Sequence, residues 1–381
     1  MSIGHAMGAV IVGYCRTPFH RAHRGPLKDT RPEDMASAVV NGVINRTSVS
    51  PELIEDLLLG CAYPEGEQGL NLGRITTYMA GLPNTVPGMT TNRLCGSSMQ
   101  VIHTAAGSIA MGSGDVFICA GVESMSRIMR GGFNRSPHPD LESTYPEAYI
   151  SMGITAENLA RSHDISRIDQ EQFAAMSHSK AIIAQNNGLL SDEIVSISNT
   201  SADGCMREPN LEKMAQLKPA FIESGSVTAA TSSPLTDGAS ALMVCSESFA
   251  LDNNLSPLAS IVSTAVSGVP PEIMGYGPVP ASLKALSRAG ISLDDLDIIE
   301  LNEAFSAQSL ACMNDMGLSM DDSRINVDGG ALAIGHPLGA SGSRITGKAA
   351  TLLQRTGGQY ALATMCIGGG MGISTVLERW N

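Results

Sequence analysis

The residues of this 381-residue chain best suited to chemistry are two cysteines, a histidine and an asparagine, each beside glycine or at an expected element end. Cys95 lies in Asn92-Arg93-Leu94-Cys95-Gly96-Ser97-Ser98-Met99-Gln100, ahead of a helix-like run to Met111. A thiol there meets the positive end of the helix dipole and open backbone N–H groups, which lower its pKa and favour the nucleophilic thiolate. A cysteine taken alone is more often a small buried hydrophobe. His336 sits in Gly335-His336-Pro337-Leu338-Gly339, inside a glycine-dense run from Gly329 to Gly342. Glycine lets backbone turn sharply or approach a ligand, and a histidine at a helix start can act as a general base. Read plainly, the same run is a structural turn or a phosphate loop, although it has neither a Walker Gly-Lys-Ser/Thr nor a G-x-G-x-x-G spacing. Cys366 precedes Ile367-Gly368-Gly369-Gly370, the layout of a reactive group at a strand end with backbone donors beside it, or of a buried thiol before a turn. Asn302, in Asn302-Glu303-Ala304-Phe305, could hold a water or cap the next helix.

The elements that must position these groups are written twice. Ser50-Pro51-Glu52-Leu53-Ile54-Glu55-Asp56-Leu57-Leu58-Leu59 has the layout of Ser292-Leu293-Asp294-Asp295-Leu296-Asp297-Ile298-Ile299-Glu300-Leu301, an N-capped turn followed by a short apolar run that reads as a buried strand. The offset is 242 residues, and Cys95 and His336 are 241 apart, each between a strand-like and a helix-like segment. Apolar strands follow at Val116–Ala120 and Tyr360–Cys366. Two copies of one α/β unit imply a pseudo-twofold molecule, with Cys95 and His336 at equivalent helix N-termini. The expected division is a first half at 1–124, an inserted loop domain at 125–234, a return to the first half at 235–256 and a second half at 257–381. Within the insertion, Arg130–Pro146 reads as loop, while Thr155–His163, Asp169–Gln185 and Leu211–Leu217 read as helices. Val116–Ala120 is apolar throughout and ends the first half; as a bare sheet edge it would invite aggregation, so cover by a second copy is expected.

Composition narrows the function classes. The chain is 43% hydrophobic and only 16% charged, against roughly 25% charged in ordinary soluble domains, which suits close-packed α/β layers with much surface buried between subunits. Its net charge of −13 supplies no basic field for nucleic acid, so an anionic ligand needs a local patch. The eight cysteines lack C-x₂-C or C-x₄-C spacing, which argues against a structural zinc site. They are too sparse for a disulfide scaffold and suggest reduced thiols in the cytoplasm. The short Ala6–Cys15 run is expected to be a first strand rather than a signal peptide, and no stretch reaches the ~20 apolar residues of a membrane helix.

Taken together, Asn92–Gln100, Asn302–Phe305, Gly335–Gly339 and Cys366–Gly370 resemble the thiolase family, in order and over essentially the whole chain. The Cys95 region and Ile273–Ser282 look closest to the degradative branch, the 3-ketoacyl-CoA thiolase subunit of bacterial fatty-acid oxidation complexes. The resemblance implies the α/β thiolase fold, with two βαβαβαββ-type halves in five α-β-α-β-α layers. It implies Cys95 as the acylated nucleophile, His336 as its base and Cys366 as the acid/base at the substrate α-carbon. Asn302 would orient a water in one oxyanion hole with His336, and the N–H groups of Cys95 and Gly368 would form another. Ser233 would meet the pantetheine arm and Arg207 the nucleotide end of coenzyme A, with Leu217 a further coenzyme A contact. Met152, Met274 and Phe305 would line the pocket. Coenzyme A is then a substrate, with no permanent cofactor or metal, and a homodimer or homotetramer is expected, with room for a multifunctional β-oxidation α subunit. Ser151 stands where biosynthetic relatives carry a histidine, which leans away from a dedicated acetoacetyl-CoA maker. The other readings are a biosynthetic acetoacetyl-CoA thiolase and a non-catalytic acyl-CoA-binding relative. A ketoacyl-synthase-like site would carry two histidines where Asn302 and Cys366 stand.

Overall fold

The computed structural model describes residues 8–129, 132–134 and 136–381. Ala6 and Met7 of the expected first strand, and Arg130, Gly131 and Arg135 of the expected loop, lie outside these residues. The first part of the chain runs β1 (Ala9–Arg16), β2 (His20–Arg21), α1 (Pro32–Thr47), β3 (Asp56–Gly60), α2 (Leu72–Met79), β4 (Gly88–Thr91), α3 (Ser97–Ala110) and β5 (Val116–Ser124). Helices α4 (Pro139–Thr144), α5 (Met152–Ser162), α6 (Arg167–Asn186) and α7 (Leu211–Ala215) follow, then β6 (Thr236–Ser246) and α8 (Glu247–Asp252). The last part runs β7 (Ala259–Gly268), α9 (Pro278–Ala289), β8 (Ile298–Leu301), α10 (Ser306–Asp315), α11 (Ala331–Ile334), α12 (Leu338–Thr356), β9 (Tyr360–Ile367) and β10 (Met371–Arg379).

The repeat in the sequence is a repeat in space. The strand order is β4-β3-β5-β6-β1 in one half and β7-β10-β9-β8 in the other. In both, the first pair is parallel (β3 with β5, β8 with β9) and the next two pairs are antiparallel. A parallel bridge from Ile299 to Ile325 stands where β3 meets β4 in the first half. The halves join through a short antiparallel contact of β1 with β7, at Val10–Ser260 and Ile11–Ala259.

Three apolar clusters mark the layers. One packs α1 against β3, β5 and β6; the second surrounds α3 and α12 with residues from both halves' strands; the third lies beneath α9, α10 and α5. The order of layers is therefore helix, sheet, helix, sheet, helix, with α3 and α12 in the middle. Small residues make that middle layer possible. A Cβ on Gly342 of α12 would lie 2.4 Å from the Met99 backbone nitrogen of α3, closer than real side chains come.

Two local expectations need correction. Strand β5 is not an edge, because β3 pairs on one side of it and β6 on the other. β6 enters from beyond the long insertion, and neighbouring residues do not announce it. Among the described residues β4 pairs only with β3 and forms the open edge of that half. The two turns of the repeat also differ. Ser292 makes a reciprocal capping box with Asp295, whereas Ser50 makes no cap and donates its hydroxyl to Glu52. The expected helices at 155–163 and 169–185 appear as α5 and α6, the latter opened by a Ser166–Asp169 capping box. Among the described residues no helix is long and apolar enough to cross a membrane.

Charged side chains buried in the middle layer tie the insertion to α12. Arg16 grips Asp203 through two hydrogen bonds of 2.6 and 2.7 Å and reaches Glu193 at 2.7 Å. Lys348 joins Glu193 and Asp328, each at 2.8 Å. Buried pairs of this kind contribute little net stability but penalise any other arrangement, because a misplaced partner leaves a bare charge.

Candidate active site

Cys95 occupies the turn between β4 and α3, half-buried. The turn is held by its own side chains. Asn92 Oδ1 accepts from the Leu94 N–H at 2.8 Å, Ser97 Oγ accepts from the Arg93 N–H at 3.0 Å, and the Ser97 hydroxyl donates to the Leu94 carbonyl at 2.6 Å. Leu94 pays for the sharp bend with a left-handed φ of 46°. No acidic residue lies in the first turn of α3, so its positive end is left for the thiol to use.

Cys366 comes from the opposite half, on β9 and paired across to Gly372 of β10. It is buried, and burial followed by the nearby Cys95 pushes its thiol well above the ordinary value. The two loops are in close contact: a Cβ on Gly96 would lie 2.4 Å from Ile367 Cδ1. A Cβ on Gly368 would lie 3.2 Å from Leu94 Cδ1 and 3.4 Å from Met152 Sδ, so Gly368 faces the Cys95 turn and the start of α5.

His336 stands two residues before α12, after Gly335 with φ 114°. Its backbone N–H donates to Thr236 Oγ1 at 3.0 Å. Nδ1 lies 2.6 Å from Ser341 Oγ, and Nε2 lies 3.5 Å from Asn302 Nδ2. Burial, reinforced by the Arg344 charge, lowers the imidazole to about 3, so it is neutral at physiological pH. With the proton on Nδ1 and shared with Ser341, Nε2 presents a lone pair on the Asn302 side, which is what a base requires. Asn302 is fully buried, and among the described residues its Oδ1 has no hydrogen-bond partner. It is not a cap: α10 begins at Ser306 after Phe305, with no side-chain cap. A buried amide oxygen without a partner suits a bound water.

The pocket-lining candidates fall in one apolar cluster. Met274 and Phe305 are buried with Cys366, and Met152 packs against them. Phe305 also meets Phe221 edge-on at 5.9 Å. Ser233 donates its N–H to the Ala304 carbonyl at 3.0 Å, next to Phe305. Arg207 and Leu217 lie together in a cavity of about 230 Å³, lined also by His178, Lys213, Met214 and Ala230. Met214 and Ala230 of this lining belong to the apolar cluster that also holds Cys366. Arg207 and Lys213 bring two cations to this lining and Glu208 a carboxylate, beside apolar Met214, Leu217 and Ala230.

The chain matches the family description "Thiolase, N-terminal domain" over residues 9–248 and "Thiolase, C-terminal domain" over 255–379. The chain belongs to the thiolase family. It is 46% identical to the 3-ketoacyl-CoA thiolase of Pseudoalteromonas translucida, covering 97% of this chain and 98% of that one. The enzyme of the same name from Aliivibrio fischeri is 45% identical, with coverage of 97% and 99%. In structure it is similar to human mitochondrial 3-ketoacyl-CoA thiolase in complex with CoA, with a TM-score of 0.90, 37% identity and 99% of each chain covered.

Reading along the sequence misses several groups that support this thiolase site. Ser341 and Thr236 hold His336, yet a serine in a glycine-rich helix start and a threonine after a proline turn carry no special signal. Glu123 accepts from the Gly339 N–H at 3.0 Å across 216 residues of chain.

Proposed function

We propose that this thiolase cleaves 3-ketoacyl-CoA with coenzyme A, giving acetyl-CoA and a shortened acyl-CoA through an acyl-Cys95 intermediate, in fatty-acid β-oxidation. The observation that carries the reading is the meeting of Cys95 and Cys366 from opposite halves, with one thiol at an uncompensated helix N-terminus and the other kept protonated by burial. The shared name of the relatives supports the substrate class.

The chain's residues account for each proton. His336 Nε2 takes the Cys95 proton as the sulfur attacks the 3-keto carbon. The C2–C3 bond then breaks, and the electron pair stays on the acetyl-CoA fragment as an enolate. Cys366 gives its proton to C2 of that enolate. The thiol of an incoming coenzyme A passes its proton to the Cys366 thiolate and attacks the acyl carbon. Cys95 leaves and recovers its proton from His336. The imidazolium formed at the first attack is kept until Cys95 leaves, and its charge is offset in turn by the oxyanion and by the Cys366 thiolate left when C2 is protonated. The Asn302 water and His336 would serve one oxyanion, and the N–H groups of Cys95 and Gly368 the other; donors of this kind are typically worth ~2.7–4 kcal/mol each. Met152, Met274 and Phe305 would line the acyl pocket, Ser233 would meet pantetheine, and Arg207 with Leu217 would take the nucleotide end. Coenzyme A enters as substrate, with no resident cofactor or metal.

The domain division belongs to the same reading: halves at 1–124 with 235–256 and at 257–381, and a loop domain at 125–234 carrying the coenzyme A and specificity elements. The described residues between β5 and β6 supply no strand to the sheet, which supports it. A homodimer, alone or within a tetramer, is supported by the open edge of β4. Beside it lie Leu70, 92% exposed, and Tyr78, 54% exposed, apolar surface that a second copy would cover. A cytoplasmic setting follows from reduced cysteines that carry the chemistry, and a multifunctional α subunit remains a partner to be sought by co-purification.

Steady-state thiolysis across a 3-ketoacyl-CoA chain-length series, with mass spectrometry of the quenched enzyme, tests the proposal. Acyl mass on the Cys95 peptide and medium-chain activity at least equal to the four-carbon activity are expected. Strict preference for four carbons would remove the degradative assignment, and acyl mass on Cys366 would reverse the roles of the thiols.

A further inference from the structure

Glu123 is a fully buried carboxylate on β5 that no step of the mechanism uses, and every group around it is a donor. Its Oε2 accepts from the N–H groups of Ala62 at 2.9 Å and Gly339 at 3.0 Å. Its Oε1 accepts from Gln68 Nε2 at 2.7 Å and the Tyr63 N–H at 3.2 Å, with the Cys61 thiol at 3.8 Å. Ala62 and Tyr63 follow β3 in the first half, whereas Gly339 is in the first turn of α12, three residues after His336. One carboxylate thus joins the first half to the helix end that carries the base. Neither oxygen could be replaced by an amide NH₂ without setting donor against donor.

The pseudo-twofold gives this contact its meaning. In the two parallel ladders Phe117 faces Asp56 and Ala361 faces Ile298, so Glu123 and Ile367, each six residues further along, hold equivalent places. Each strand supports the helix N-terminus of the other half. Ile367 lies under Gly96, the residue that opens α3, and Glu123 lies under Gly339 of α12. The symmetry is broken where the chemistry differs. An anion locks the helix end beside the base, and an aliphatic side chain leaves the helix end beside the nucleophile uncompensated.

Resting on the roles proposed for Cys95 and His336, we infer that Glu123 is a positioning residue for the base: it fixes the α12 N-terminus so that His336 is held in register with the Cys95 turn. A displacement of about 1 Å at such a site can cost ~10²-fold in rate.

The test uses Glu123→Gln and Glu123→Ala in the full-length enzyme, with folding checked by circular dichroism. Two quantities are measured: kcat and KM for thiolysis, and the pH dependence of Cys95 alkylation by iodoacetamide without substrate. Both variants should lose about 10²-fold in kcat with KM changed less than about threefold. Alkylation should slow at each pH where the thiol is still protonated, since a displaced His336 no longer accepts the thiol proton as the sulfur attacks. Gln68→Leu removes one donor to the carboxylate without touching α12, and should shift both quantities in the same direction by less; it decides the matter if the Glu123 variants do not fold. Unchanged kcat and an unchanged alkylation profile in the folded variants would reduce Glu123 to a structural tie and overturn the inference. That outcome leaves acylation of Cys95 intact, and so stands apart from failure of the catalytic assignment.

Discussion

The neutral state of His336 can be weighed against stability as a function of pH. Its folded pKa, lowered from 6.5 to about 3, lies below the unfolded value. The unfolded chain therefore binds more protons, and stability is lost as pH falls from about 6.5 towards 3. At 1.36 kcal/mol per pKa unit, this group alone costs about 2 kcal/mol between pH 7 and pH 5. His178, lowered to about 4 by burial and then Arg207, adds a loss of about the same size. Glu300 opposes them. Burial raises its carboxyl from 4.5 to about 7 despite Arg344, so the folded chain takes up that proton first and gains about 2 kcal/mol over the same range. The wild-type curve is a partial cancellation, and only a difference isolates one group. His336→Asn keeps a polar atom near Ser341 and cannot titrate. Urea unfolding at pH 7 and pH 5, at one fixed protein concentration because association would also stabilise, should show a loss smaller in the variant by about 2 kcal/mol. Equal losses in both proteins would refute the buried neutral imidazole, and with it a base ready to accept a proton at neutral pH.

The other predictions bear on the site directly. Cys95→Ala should abolish both thiolysis and acyl exchange between two coenzyme A molecules. Cys366→Ala should lower thiolysis by at least ~10²-fold, the loss of a general acid at carbon, yet leave much of the exchange, whose leaving group is a thiolate; equal loss of both activities in folded Cys366→Ala would contradict the division of labour. Asn302→Ala should cut kcat by about 10²–10³-fold with little change in coenzyme A affinity, as expected for a lost oxyanion donor; a change confined to KM would place Asn302 in binding instead. Arg207→Ala should raise KM for coenzyme A about tenfold, on the scale of one lost charge-assisted contact, with kcat nearly unchanged. An unaltered KM would remove the nucleotide from the cavity at Arg207 and Leu217.

Much of this molecule is legible from residue order, for a physical reason. Buried strands need apolar runs, and helix starts beside glycine need no partner from far away, so the repeat at Ser50 and Ser292 and the spacing of Cys95 and His336 already define two matching halves. The four candidate side chains stand in short motifs, and for one of them, the Asn92–Ser97 turn around Cys95, the local backbone is held by the motif's own side chains. Tertiary structure alone decides the rest. That β5 is interior rather than an edge depends on β6, which returns after more than a hundred residues, and on sheet order, which apolar pattern does not encode. That Asn302 faces His336 and does not cap α10 depends on the packing of α12 against β8. That His336 is neutral depends on burial and on Arg344, and that its helix is anchored depends on Glu123, a contact spanning 216 residues. Charge states and anchoring arise where distant segments exclude water together, and no local pattern reports which segments those will be.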